Sequence, residues 1–411
     1  MMKYLHFAII ALFLYSSAAF AQIETGLDNL IAEHFAPLAG KHVGLITNQT
    51  GRTHDGTLGA ELFAKSSALK LVALFAPEHG LFGTRAAGVT SDTLERLGGV
   101  PIYSLYGSTR KPTRAMLRGI DALVFDIQDA GVRPYTYLST MIDAMETAAE
   151  NKIPFYVLDR PNPLSGERIE GNILDTTLES FVGIIPVPYL HGMTLGELAQ
   201  MAKAKAWFKG AAKLKLTVIP MTGWNRSMYW KETGLQWIAT SPNVPAFAND
   251  VGLAMLGATG ELGLLSIGIG SDAPFLRIGS TLMGQDEVQR FVDSAFQKSL
   301  PLLPEDFTAT TSAGTKTYHG VRIELPTNLK SIPSFYEPQF RIIEMMLHDT
   351  AFRASFDELP ASTNMRYEKV TGMLGLLDML RRCEDLSPVF ATWRSDDDRF
   401  RQDRAPYLLY R

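Results

Sequence analysis

The sequence predicts an α/β protein: a parallel sheet with helices on both faces, followed by a smaller α+β domain. Two observations carry that prediction. From about residue 40 to about residue 220, short β-rich apolar runs alternate with amphipathic helical stretches, the order that builds parallel βαβ units. After about residue 245 the alternation stops and glycine becomes dense between Gly252 and Gly284, as in a unit of different construction.

The first 21 residues read as an export leader. Lys3 supplies the positive end, and residues 7–15 form an apolar stretch too short to span a bilayer. Ala19-Phe20-Ala21 gives the small-x-small cleavage pattern, so the mature chain is expected to start at Gln22. About 390 residues then remain, enough for two domains with a sizeable core. The expected division is a Rossmann-like domain at 22–246 and a smaller α+β domain at 247–411. The mature protein is expected to be periplasmic or secreted, with no stable membrane insertion after cleavage. The formal charge of −4, with both signs interspersed, carries no basic nucleic-acid footprint. Cys383 is the only cysteine, so no internal disulfide forms. Among Arg381, Arg382 and Glu384 on an expected helix, it reads as a structural thiol rather than a nucleophile.

Strands are expected at 42–47, 69–75, 122–125, 154–158 and 214–219. Between them, Met141, Ile142, Met145, Ala148 and Ala149 recur at helical spacing over 139–151. Thr194 and Glu197 form a T-x-x-E capping box, with Leu195, Leu198 and Ala202 on one face of the helix that follows. In the second part a helix is expected over 286–300, with Val288, Phe291, Val292 and Ala295 on its apolar face. A β-like segment at 318–325 and helices at 339–347 and 371–382 complete it.

Polar residues follow four consecutive strands. Asn48 to Gly51 ends the first, Glu78-His79-Gly80 the second, Asp126 to Arg133 the third and Asp159 to Pro163 the fourth. In open α/β sheets ligands bind beyond the carboxyl ends of the strands. One such turn is an ordinary solvated loop; four together, rich in carboxylates and arginines, point to a site. Glu78 leaves an apolar strand at Pro77, and a wall of Phe75, Leu81 and Phe82 would favour the proton-bearing form that a general acid needs. Asp126 and Asp129 are candidates for the second carboxylate that glycoside hydrolysis usually uses. Arg133 and Arg160 are candidates for holding an anionic substituent. His79 orients Glu78 or a water, or only caps a turn; Asp159 and Arg160 brace their loop by pairing. Trp224, Trp230 and Trp237 serve either as sugar platforms or, more commonly, as core.

Several chemistries are disfavoured. The stretch from Gly268 to Ala273 fits G-x-G-x-x-A but lies outside the first βα unit and runs into Pro274, so it is a weak dinucleotide signal. No G-x-S-x-G elbow, Walker A or H-E-x-x-H pattern occurs. No cofactor is implied. A metal site from Glu78, His79, Asp126 and Asp129 is conceivable, but nothing in their spacing demands one.

The same residues, in order and along nearly the whole mature chain, resemble a bacterial family of exo-β-N-acetylmuramidases. The matching motifs run from Gly44 to Gly51, Pro77 to Gly80 and Ser104 to Gly107. They continue with Asp126-Ile-Gln128-Asp129-x-Gly131-x-Arg133, Tyr135-Thr-Tyr137, Leu158 to Pro163 with Arg160 and Asn162, His191 to Ala199, and Ser241-Pro-Asn243. The resemblance implies a Rossmann-like domain, a smaller second domain and an active site in the cleft between them. It implies release of N-acetylmuramic acid from the non-reducing ends of peptidoglycan fragments, with sugars or muropeptides as partners and Glu78 as leading candidate for the acid. The expected catalytic residues are Glu78, Asp126 and Asp129. Those expected to bind substrate are Asn48, His79, Gln128, Arg133, Tyr135, Arg160, Asn162, His191, Asn243 and Glu261. The second carboxylate acts on water, or the substrate's own 2-acetamido group replaces it as nucleophile. The chain departs from the family between Glu261 and Phe275, where Leu264 stands for an asparagine and Ile269 for an arginine, and at Pro134, where an aromatic is usual. Losing two polar groups from a cleft loop would alter sugar discrimination. The alternatives are a catalytically silent cell-wall-sugar binding protein and a metal-dependent hydrolase using the acidic cluster.

Overall fold

The computed structural model describes residues 23–86, 88–89, 95–293 and 300–411; the expected leader and its cleavage site lie outside them. Seven strands make the first sheet: β1 (His42–Thr47), β2 (Lys70–Ala76), β3 (Glu95–Leu97), β4 (Val100–Ser104), β5 (Ala122–Asp126), β6 (Phe155–Leu158) and β7 (Leu216–Ile219). Their order is β3-β4-β2-β1-β5-β6-β7. Every pairing is parallel except β3 with β4. The five expected strands are β1, β2, β5, β6 and β7. The sequence reading missed β3 and β4, a short edge hairpin that turns at Gly98-Gly99 and carries Pro101. Such a segment lacks the long apolar run that marks a buried strand.

Side chains alternate across the sheet, as a pleat requires. Val43, Leu45, Ala122 and Val124 enter one core together with α1 (Gly26–Ala32) and α2 (Gly59–Lys65). Ile46, Phe75, Leu123 and Phe125 enter the other, with α3 (Thr136–Asn151) and α4 (Leu195–Ala204). Burial on both faces explains why these strands read as unbroken apolar runs. The capping box starts α4 as expected: the Thr194 hydroxyl accepts from Glu197 N at 3.2 Å, and Glu197 accepts from Thr194 N at 3.1 Å. Gly26 opens α1 where a Cβ would stand 2.3 Å from Asp159 N, so only glycine allows the approach.

The chain runs from β1 outward through β2 to β4, then returns to β5 and runs the other way through β6 to β7. The direction reverses between β1 and β5. Strands on either side of such a reversal send their connections to opposite faces, which opens a crevice at their carboxyl ends. Thr47 and Asp126 face each other across that point.

The smaller second part has an antiparallel sheet of order β8-β10-β9, from β8 (Arg277–Ser280), β9 (Leu302–Thr311) and β10 (Gly314–Ile323). The short α5 (Trp230–Thr233) and α6 (Phe247–Leu256) lead into it. Around the sheet lie α7 (Gln285–Asp293), α8 (Pro338–Met346), α9 (Thr350–Asp357), α10 (Ala361–Thr371), α11 (Leu376–Arg381) and α12 (Ser387–Arg404). Its core is aromatic, with Tyr336, Phe340, Phe390 and Trp393 in mutual contact. The helix expected over 371–382 is two helices. Gly372 (φ 70°) ends α10 and Gly375 (φ 75°) precedes α11, and two left-handed residues cannot continue one helix. Of the helix expected over 286–300, α7 is the described part; 294–299 lie outside the described residues. Cys383 lies just past the end of α11 and is exposed.

The chain end returns to the first domain. Phe400 of α12 enters the core under α3 and α4, and the Tyr410 hydroxyl donates to Asp159 at 2.6 Å. Among the described residues, no helix is long and apolar enough to cross a membrane.

Candidate active site

Glu78 sits one residue past Pro77, where β2 ends. Gly80 N donates to Pro77 O at 3.1 Å, closing a tight turn with His79 and Gly80 at φ 69° and 78°. The His79 ring donates from Nδ1 to Arg85 O at 2.8 Å, the direction a carbonyl acceptor dictates. His79 thus braces the loop after the turn, with Nε2 left as the acceptor. The Glu78 carboxylate is nearly buried and held at both oxygens. One accepts from Gly88 N at 3.1 Å, the other from the Thr136 hydroxyl at 2.9 Å. Thr136 is the first residue of α3, so the positive end of that helix lies beside the carboxylate. The Tyr106 phenol lies within the field of that carboxylate. Burial, and then the Glu78 charge, push that phenol up to about 12, so it stays a hydroxyl donor at neutral pH. The expected apolar wall is incomplete: Phe75 and Leu81 are buried, while Phe82 is half exposed. Polar donors, not ring faces, touch the carboxyl oxygens.

Tyr135 and Tyr137 stand edge to face, 4.9 Å between centroids. Both hydroxyls reach Thr240, Tyr135 to its hydroxyl at 2.9 Å and Tyr137 to its carbonyl. The half-buried Asn243 follows three residues later. Asn48 is buried at the end of β1 and accepts from Thr50 N at 2.9 Å, while its amide nitrogen has no partner among the described residues. The Thr50 hydroxyl accepts from Gln128 N at 2.9 Å, and Gln128 donates to Pro161 O at 2.8 Å. These links tie three strand ends into one floor. A cavity of about 30 Å³, room for one water, opens beside it against Thr50, Arg52, Gln128, Arg160 and Trp230.

Several expected site residues are committed elsewhere. Asp126 is fully buried and bonded to Arg160 Nε at 2.6 Å, so it does not face a water in the cleft. Arg160 also donates to Arg52 O at 2.9 Å, bracing the loops instead of awaiting an anion. The expected side-chain pairing of Asp159 with Arg160 is thereby corrected: Asp159 accepts from the Arg160 backbone N–H at 3.1 Å and from Thr194, Gly196 and Tyr410. Arg133 is wholly buried and donates to Asn172 O and Val187 O, each at 2.8 Å, and to Thr371 O at 2.6 Å. It fastens the second part to the first; a guanidinium spent on three carbonyls holds no substrate carboxylate. Asn162 donates to Met193 O at 2.9 Å and accepts from Leu164 N at 2.9 Å, shaping its own loop. His191 is fully buried, and burial lowers its pKa to about 3, so it is a neutral structural group. Glu261 lies 3.7 Å from Arg366 in the second part, and burial raises its pKa. Leu264 and Ile269 pack against that part's core. Trp224 and Trp230 are buried, as core rather than platform.

Asp129 is buried. One oxygen accepts from Gly131 N at 3.0 Å, the other has no partner among the described residues, and burial pushes its pKa up to about 7. Its neighbour in charge is Asp250 of α6, fully buried with neither oxygen partnered. Burial, and then the Asp129 charge, raise Asp250 well above the usual carboxylate range. The sequence reading missed Asp250, Thr136 and Tyr106. Tyr106 lay inside a noted motif. Asp250 stood on a helical stretch with no local signal, and only proximity in space gives it a role.

The metal-dependent reading loses its geometry. Among the described residues, the only three potential ligands within a metal's reach of one another are Glu24, Asp28 and His54. Glu78, His79, Asp126 and Asp129 form no such group. The Glu24 cluster is already satisfied, because His54 Nδ1 lies 2.9 Å from Glu24 and 3.1 Å from Asp28.

Comparison with known proteins gives concordant matches. Residues 43–248 match the family model described as exo-β-N-acetylmuramidase NamZ, N-terminal, and residues 251–410 match its C-terminal counterpart. The chain is 34% identical over 405 residues to the peptidoglycan β-N-acetylmuramidase NamZ of Bacillus subtilis (strain 168), covering 95% of this chain and 92% of that protein. Two crystal structures of DUF1343 family proteins from Bacteroides fragilis NCTC 9343 share the fold. One aligns with a TM-score of 0.88 at 35% identity, the other with 0.76 at 27%; each alignment covers 95% of this chain and 99% of the other.

Proposed function

The chain belongs to the exo-β-N-acetylmuramidase family and is a glycosidase of peptidoglycan, and on that premise we propose that it releases N-acetylmuramic acid from the non-reducing ends of peptidoglycan fragments with Glu78 as general acid. The observation that carries the proposal is the placement of Glu78. Its carboxyl group stands at a strand end beside the topological reversal, oriented by Thr136 and Gly88. A proton donor must be held within hydrogen-bond reach of the leaving oxygen, and a group fixed at both oxygens meets that need.

The nucleophile is assigned by what the neighbouring carboxylates do. Asp126 is paired with Arg160, and burial pushes Asp129 up to about 7, which weakens it as an ionised nucleophile at neutral pH. This favours the substrate's 2-acetamido group, one of the exceptions to the two-carboxylate scheme. Its carbonyl oxygen attacks C1 as Glu78 gives its proton to the departing glycosidic oxygen. Water then opens the cyclic intermediate, returning a proton to Glu78 and leaving free N-acetylmuramic acid. The mature protein would act outside the cytoplasm, where such fragments arise.

Incubation with the disaccharide MurNAc-GlcNAc and detection of free MurNAc by mass spectrometry tests the reading. Glu78→Gln is expected to lower turnover by about 10²-fold or more while the protein stays folded. A Glu78→Gln variant that keeps most of its activity overturns the assignment. A 2-trifluoroacetamido substrate should react much more slowly if the acetamido oxygen is the nucleophile. An unchanged rate points back to a protein carboxylate.

A further inference from the structure

Among the described residues, one guanidinium without a carboxylate partner stands on the aromatic pair that leads to the Glu78 loop. Arg110 follows the Ser104–Gly107 motif, is exposed, and rests 4.4 Å over the ring of Phe181. The Phe181 ring is 6.1 Å from the Tyr106 ring, and the Tyr106 phenol lies within the fields of both Glu78 and Arg110. Two side chains, Tyr106 and Phe181, thus lie between the proposed acid and a cation. Phe181 is firmly mounted: Ser180 and Gly183 exchange two backbone hydrogen bonds of 3.0 Å around it. The acidic groups nearby on α3 are already taken, since Lys111 pairs with Glu146 at 2.8 Å and with Asp143 at 3.3 Å. Among the described residues, Arg110 has no carboxylate within ion-pair reach. Arginine held on an aromatic face keeps its planar fork of donors free, a shape that matches a carboxylate.

We propose that Arg110, seated on Phe181, binds a carboxylate of the substrate whose glycosidic bond Glu78 cleaves. This inference rests on the glycosidase reading above and adds a specificity-determining residue to it. In N-acetylmuramic acid the lactyl ether leaves C3, two ring carbons from the anomeric carbon, which suits a cation displaced sideways from the acid. The same chemistry is offered by the first peptide carboxylate of a muropeptide, where the lactyl group itself is a neutral amide. Arg133 and Arg160 hold neither, being committed to carbonyls and to Asp126.

The test compares three β-linked substrates: MurNAc-GlcNAc with a free lactyl acid, its lactyl carboxamide, and its lactyl-alanine conjugate. The native chain is expected to prefer a carboxylate-bearing substrate over the carboxamide by tenfold or more in kcat/KM. Arg110→Met should collapse that preference toward one, and Arg110→Lys should restore part of it. Preference for the free acid identifies the lactyl carboxylate, and preference for the conjugate identifies the peptide carboxylate. A preference that survives Arg110→Met, or a native chain indifferent to the charge, overturns the inference while leaving the glycosidase reading intact. Calorimetric binding of free MurNAc and its carboxamide gives the second readout. Loss of discrimination in Arg110→Met without any hydrolysis by the native chain would support Arg110 and overturn the reaction instead.

Discussion

Thr136 joins the start of α3 to the Glu78 carboxylate through a single hydroxyl, so it can be removed almost without changing shape. Thr136→Val deletes one donor to a group whose direction matters, worth on the order of 1.5 kcal/mol or more. We expect kcat to fall about tenfold, with the melting temperature and KM little changed. Steady-state kinetics on MurNAc-GlcNAc checks this; an unaltered kcat means that Gly88 suffices. At this scale the placement of Glu78 at the end of a buried strand was readable. Glu78 stood out because a buried strand ended at Pro77 and polar residues followed. The roles of Asp126, Arg133 and His191 were not readable, since a carboxylate or guanidinium in a strand-end loop looks the same whether it faces water or a buried partner.

The loop after β5, where chemistry was expected, meets α6, where none was. An unfolded aspartate titrates near 3.9, whereas folded Asp129 holds its proton up to about 7 and Asp250 beyond the usual range. The folded state therefore keeps protons that the unfolded chain has released. The stability tied to that retention is present below about pH 4 and is lost as pH rises toward 7. Asp250→Asn removes one titration and the mutual repulsion. The fall in stability between about pH 4 and 7 should shrink, and the variant should be the more stable protein at pH 8. Urea unfolding across that range measures it, and parallel profiles for both proteins would refute the coupling. Helical periodicity places Asp250 on α6, but no periodicity says which helix face meets a carboxylate from residue 129.

Over the whole molecule the two parts are tied by the chain end as well as by Arg133. Tyr410 donates to the buried Asp159 at 2.6 Å and accepts from Met221 N at 3.0 Å, and Leu409 N donates to Glu197 at 2.9 Å. Burial already raises Asp159 to about 6. Tyr410→Phe leaves that carboxylate short of a donor and should cost about 2 kcal/mol, read by urea denaturation at neutral pH. Below the folded pKa of Asp159 the penalty should diminish, because a protonated carboxyl loses less with the donor. A variant as stable as the native chain would show that the C-terminal segment is not fastened to the sheet through Tyr410.

The sequence by itself determined the parallel sheet, its helices on both faces, the capped start of α4 and the strand end that carries Glu78. Each of these follows from local periodicity: runs buried on two faces, helical spacing, and a proline that stops a strand. The tertiary structure decided which polar groups were left over for chemistry. It paired Asp126 with Arg160, used Arg133 as a fastener, placed Asp250 within the field of Asp129 and set Arg110 on Phe181. Burial and partnership are properties of pairs distant in the chain, and only folding brings such pairs together.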